Sequence, residues 1–93
     1  MSEASGTDIR EETRQILETL VKRITNDAHG IKVTCQVGER TTVYAVDCSK
    51  DSIGRIIGAK GKNITSLRNI IAAIMAANGI RAIIEIPYYK NEN

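Results

Sequence analysis

A chain of 93 residues is long enough for one small domain and too short for two. It has no Trp or Phe but fifteen Ile, so β-branched and small side chains must fill a modest interior. The net charge of +2 excludes a strongly basic or acidic protein, yet residues 50–70 carry Lys50, Arg55, Lys60, Lys62 and Arg68 against Asp51 alone, a local cationic patch that points to an anionic partner held at one place.

Residues 1–7 are small and polar and are expected to form a disordered tail. Asp8 followed by Glu11 has the spacing of a capping box, after which Ile9, Thr13, Ile16, Leu17, Leu20 and Ile24 recur at helical intervals up to about Asn26. Lys22 and Arg23 fall in the last turn, where the helix dipole favours cations. Asn26 to Gly30 breaks the pattern, and Ile31 to Val37 alternates as a half-buried strand.

A second strand, Thr42 to Cys48, follows a turn over Gly38 to Thr41. Asp47 is unfit for a core, so Tyr44, Val46 and Cys48 should point inward. A four-residue loop puts these on one face with Ile31, Val33, Cys35 and Val37, setting Cys35 opposite Tyr44 and Cys48 opposite Ile31. The two cysteines are then buried fillers and not a disulfide, and neither has metal-ligand spacing.

Ser49 can cap a short helix, Lys50 to Ile57, in which Ile53, Ile56 and Ile57 share a side. Gly54 is costly inside a helix, and close approach of a neighbour would explain it. Gly58 to Gly61 forms a loop. From Lys62 a longer helix carries Ile64, Leu67, Ile71, Ile74 and Met75 as its buried stripe, with Ala72, Ala73, Ala76 and Ala77 allowing close packing. Asn78-Gly79 is a left-handed stop. Ile80 to Ile86 is a third strand closed by Pro87, and residues 88–93 are a C-terminal tail.

The order helix, strand, strand, helix, helix, strand predicts an α+β fold. A hairpin makes the first strand pair antiparallel. The long crossover makes the second and third strands parallel, giving a mixed three-stranded sheet with helices on one face.

The loop Gly58-Ala59-Lys60-Gly61 has two readings. A packing corner between helices asks for glycine but is indifferent to charge. A phosphate site explains more: the loop feeds a helix N-terminus, where free N–H groups and the dipole attract anions. Lys60 and Lys62 add charge there, and Arg55 and Arg68 flank it. A nucleotide P-loop needs G-x-x-x-x-G-K-[ST] after a strand; here Gly61-Lys62 precedes Asn63, and the loop follows a helix. Ser49, Ser52, Thr65 and Ser66 lack a base partner, and His29 stands alone beside Gly30 as a surface residue. The expectation is a binding protein and not an enzyme, with no cofactor and no metal.

The run IGRIIGAKGKNI, Ile53 to Ile64, resembles the K-homology (KH) signature I-I-G-x-x-G-x-x-I. The leading helix and strand are similar to the type II, bacterial form, and the length resembles the small stand-alone KH proteins of the KhpA family. The resemblance covers about residues 8 to 87, as a single KH domain. It implies binding of single-stranded RNA, with the loop clamping the backbone of about four nucleotides. By the same resemblance Gly58, Ala59, Lys60 and Gly61 are the clamp and Ile53, Ile56, Ile57 and Ile64 shape a groove for bases, although several of these must also serve the core. Arg55, Lys62 and Arg68 would add phosphate contacts, and Ile84 is a candidate far wall that is otherwise a core residue.

Two departures weaken the grip. Ala59 stands where the family often has a cation, and Asn78-Gly79 leaves almost no variable loop. Tyr44 is expected inside and Tyr88 and Tyr89 in the tail, so bases have few aromatics to stack on, which also excludes an RRM. Weak, broadly sequence-tolerant binding is expected, as of an RNA chaperone or post-transcriptional regulator. The alternative is a protein-interaction module, which the resemblance associates with homodimerisation and with a larger KH-containing Jag-type partner. The outer sheet face, or a lip near Ile53 and Ile56, would supply that interface. The N-terminus lacks the apolar core of a signal peptide and no stretch is long enough for a membrane span, so the expected address is the cytoplasm.

Overall fold

The computed structural model describes residues 5–87, with side chains from residue 9 onward. Of the tails expected at residues 1–7 and 88–93, residues 1–4 and 88–93 lie outside the described residues.

The first helix, α1 (Ser5–Thr25), begins before Asp8. Residues 5–7 are therefore helical, and Asp8 lies within the helix and not at its cap. Glu11 instead receives a fork of two hydrogen bonds from Arg14, Nε to Oε1 at 2.9 Å and Nη2 to Oε2 at 2.8 Å. That guanidinium, with Gln15, holds the Glu11 carboxyl down at about 2. The buried stripe is Thr13, Leu17, Val21 and Thr25, whereas Ile16 is exposed. The stripe is thus rotated from the expected one, because adjacent Ile16 and Leu17 lie about 100° apart and only one can face the sheet. Asn26 ends α1 in a left-handed conformation (φ 58°), and the Asp27 N–H returns to the Lys22 carbonyl. Asp27 Oδ1 then accepts the Gly30 N–H at 2.8 Å, which forms the break before the sheet.

Strand β1 (Lys32–Val37) pairs antiparallel with β2 (Thr41–Asp47), and Cys35 lies opposite Tyr44 as the loop length requires. β2 is central and pairs parallel with β3 (Arg81–Glu85). Helices α2 (Lys50–Ile57) and α3 (Lys62–Ala76) form the crossover. This is the α+β arrangement expected for a type II KH fold, a mixed three-stranded sheet with the helices on one face.

Tyr44, fully buried at the centre, is the largest core residue. Its hydroxyl donates to the Arg10 carbonyl at 2.9 Å and touches Met75 Sδ at 3.6 Å. Val37, expected inward, is 63% exposed: it stands at the hairpin end of an edge strand. Both thiols are free, with Cys48 buried and Cys35 half-buried, and burial pushes each thiol pKa up, so both stay protonated at neutral pH. Gly79 (φ 72°) closes α3 with Gly79 N–H to Ala76 and Ile80 N–H to Met75, both at 2.9 Å.

Candidate nucleic-acid interface

α2 leads into the loop. Ser49 occupies its N-cap position, but its hydroxyl meets the Ser52 hydroxyl at 3.3 Å and bonds no backbone N–H. Ile56 of α2 and Ile64 of α3 are in the core, at 0% and 1% exposure. Both thus serve the core, as several of the four groove isoleucines were expected to, and Ile56 is no part of an exposed lip. These two side chains hold the loop from beneath, and only the half-buried Ile53 and Ile57 reach the surface.

The loop is left-handed three times. Gly58 has φ 79°, Lys60 φ 56° and Gly61 φ 75°. The Gly61 N–H returns to the Gly58 carbonyl at 3.1 Å, closing a short 3-10 turn over Ala59–Gly61. Asn63, which the sequence reading used only to exclude a P-loop, has a structural part. Its Nδ2 donates to the Arg55 carbonyl at 2.8 Å, and its side chain lies under Gly58, where an added Cβ would come within 2.6 Å of Asn63 Cγ. Gly58 is thus fixed by both backbone and space. Its signal was legible as an amide able to cap the end of the preceding helix.

Gly54 contradicts its sequence expectation, because a Cβ there would meet nothing within 4 Å. The Gly58 N–H donates to the Gly54 carbonyl at 2.8 Å, so the two glycines lie one turn apart on the same side. Gly54 and Gly61 leave open backbone on the two sides of Gly58, whose own side-chain space Asn63 fills, leading to the N-terminus of α3. Ala59, Lys60 and Lys62 beside it are exposed, and the side chains of the two lysines bond no other described residue.

The two arginines differ. Arg55 Nη1 donates to the Thr25 carbonyl at 3.1 Å and so caps the C-terminal end of α1. Arg68 stands half-buried at a groove between α3 and β3. Arg68, Asn69 and Ala72 face Ala82 to Ile86 there, and the groove continues past Ala76 to Gly79 and Arg81. The N-terminal half of α3 therefore faces the C-terminal end of β3, which places the groove mouth toward the glycine loop. Ile84 has its side chain in the core, the groove residues Asn69 and Glu85 carried no sequence signal, and Ala72 carried only one of close packing. Among the described residues no set of three metal-binding side chains converges and no helix is long and apolar enough to cross a membrane.

Comparison with known proteins agrees with the KH resemblance. A family model of the KhpA/KhpB KH domain matches residues 14–86, from within α1 to just past β3. The RNA-binding protein KhpA of Aquifex aeolicus is 30% identical over 73 residues, covering 78% of this chain and 92% of that protein. RNA-binding protein KhpA of Chlamydia pneumoniae is 25% identical across 78% of this chain and 94% of its own length. The Clostridium acetobutylicum protein of the same name is 25% identical, with 78% and 97% covered.

Proposed function

The chain belongs to the KhpA/KhpB KH-domain family, and from that premise we propose that it binds single-stranded RNA, with Gly58-Ala59-Lys60-Gly61 clamping the phosphate backbone. The observation that carries this reading is the loop itself. Its lysines are exposed at a helix N-terminus, and one of them, Lys60, holds a left-handed backbone that a lysine does not favour.

A phosphate at Gly54 and Gly61 approaches the backbone where no side chain stands close, and the first turn of α3 offers N–H groups and the positive end of its dipole. Lys60 and Lys62 supply mobile charge, and Arg68 supplies it at the groove. Ile53 and Ile57 offer apolar surface to the bases, which continue into the groove between α3 and β3. Arg55 contributes chiefly by fixing α1 against α2, since one of its nitrogens is held by the Thr25 carbonyl.

Ala59 gives no second loop cation and no described aromatic lines the groove, so binding is weak and tolerant of sequence. That suits an RNA chaperone or post-transcriptional regulator. The exposed Ile83 on β3 favours self-association as a second reading. Fluorescence anisotropy with a short single-stranded RNA tests the proposal: Ala59→Asp with Lys60→Asp removes binding while the circular dichroism and melting of the chain stay native. A doubly substituted chain that binds as tightly as the wild type shows that the loop is not the clamp.

A further inference from the structure

The groove between α3 and β3 has a volume of about 620 Å³, with Arg68, Asn69 and Ala72 on one side and Ala82 to Ile86 on the other. Among the described residues it has no ring on which a base can stack. The chain has three tyrosines and no Trp or Phe, and Tyr44 is sealed in the core at 0% exposure. Tyr88 and Tyr89, adjacent in sequence, are the other two and lie outside the described residues. Their place in a tail was expected to keep them from the bases, but the fold sets where that tail begins.

β3 ends at Glu85, Ile86 is the last residue of the groove wall, and the chain enters a turn at Pro87. Tyr88 and Tyr89 follow Ile86 by two and three residues, so their Cα atoms lie within about 7 and 11 Å of it even in an extended chain. The N-terminal half of α3 overlies this end of β3. Arg68, on the opposite wall, stands about 9 Å along the helix from Lys62 at the glycine loop. The tail therefore leaves the sheet where the groove opens toward the loop, and not at its other end near Gly79 and Arg81. The family match stops at residue 86, so both rings stand outside the matched region.

We propose that Tyr88 and Tyr89 are base-stacking residues of the RNA site: with the phosphates held at the glycine loop, bases emerging from the groove mouth stack on these rings. The inference rests on the RNA reading above and deepens it, naming unpaired bases as what the tail recognises. Every base has a π-face, so stacking adds grip without adding sequence preference. That agrees with a loop one cation short and a groove without described aromatics. A phenol ring carries no charge, so the tail raises affinity without steepening its salt dependence. This separates its contribution from that of Lys60, Lys62 and Arg68.

Anisotropy of the full chain with a short single-stranded RNA tests the role. Tyr88→Ala with Tyr89→Ala weakens binding by ~10-fold or more, with the salt slope and the urea midpoint unchanged, and Tyr88→Phe with Tyr89→Phe keeps wild-type affinity. An oligonucleotide of the same length with abasic sugars keeps the phosphates but not the bases, and the wild-type and alanine chains bind it alike. Tyrosine emission, corrected for RNA absorbance, falls as RNA is added to the wild type. It stays constant in the alanine chain, which retains Tyr44 alone. An alanine chain that binds RNA like the wild type overturns the stacking role. So does a loss of equal size on abasic RNA, a flatter salt slope, or a lowered urea midpoint. A wild type that binds no RNA at any concentration is a separate result, which contradicts the RNA reading itself and this inference with it.

Discussion

Lys60 shows most clearly how a residue choice separates folding from function. Its left-handed backbone (φ 56°, ψ 26°) costs a side-chain-bearing residue about 1 kcal/mol, and nothing packed around it asks for lysine. Lys60→Gly should raise stability by about 0.5–1 kcal/mol in urea unfolding while weakening RNA binding in anisotropy; a loss of stability would mean that the side chain supports the fold. Gly54 makes the same point from the other side. Its Cβ would enter open space inside a helix, so Gly54→Ala should stabilise by about 0.5–1 kcal/mol and again weaken binding. Gly58→Ala meets Asn63 and a φ of 79° and should lose about 1–3 kcal/mol. Two glycines one helical turn apart thus differ in sign. The sequence does not separate them, because a glycine carries no record of whether backbone angle, neighbour or ligand demanded it.

The elements were more legible where parity or chemistry left one solution. The hairpin register followed from loop length, since a one-residue slip would expose Tyr44 and bury Asp47. The α3 stop followed from Asn78-Gly79. What failed was orientation: α1 offered apolar residues on too wide an arc, and only the sheet beneath decided that Val21 and not Ile16 is buried. The same sheet buries Tyr44 so that desolvation pushes its phenol up to about 12 from 10. The fold holds that proton after the unfolded chain has released it, so stability should fall as pH rises from 10 to 12. Urea midpoints across that window check this, and Tyr44→Phe should flatten the decline. At the other extreme, burial raises the Glu18 carboxyl, but the Val33 N–H, Lys22 and Arg14 outweigh it, leaving its pKa below the usual value. Its hold on the β1 edge is present above the unfolded pKa of 4.5 and is lost as pH falls below that.

Across the whole molecule, the cationic segment and the glycine loop were readable because they are contiguous in sequence. The groove was not, because Arg68 and Glu85 meet only when α3 overhangs an edge strand, and no local pattern announces an overhang. The resulting surface joins a loop that can hold phosphates to a groove that can hold bases, with its charge at Lys60, Lys62 and Arg68. If each of these neutralises one phosphate, the log of affinity should fall against the log of salt with a slope of about −2. The most direct test combines this titration with the loop variant, following RNA anisotropy across salt for the wild type and for the chain carrying Ala59→Asp and Lys60→Asp. A wild-type slope near −2 with binding lost in a natively folded variant is the predicted result. A slope near zero, or a variant that binds like the wild type, would contradict the assignment of this loop as the backbone clamp.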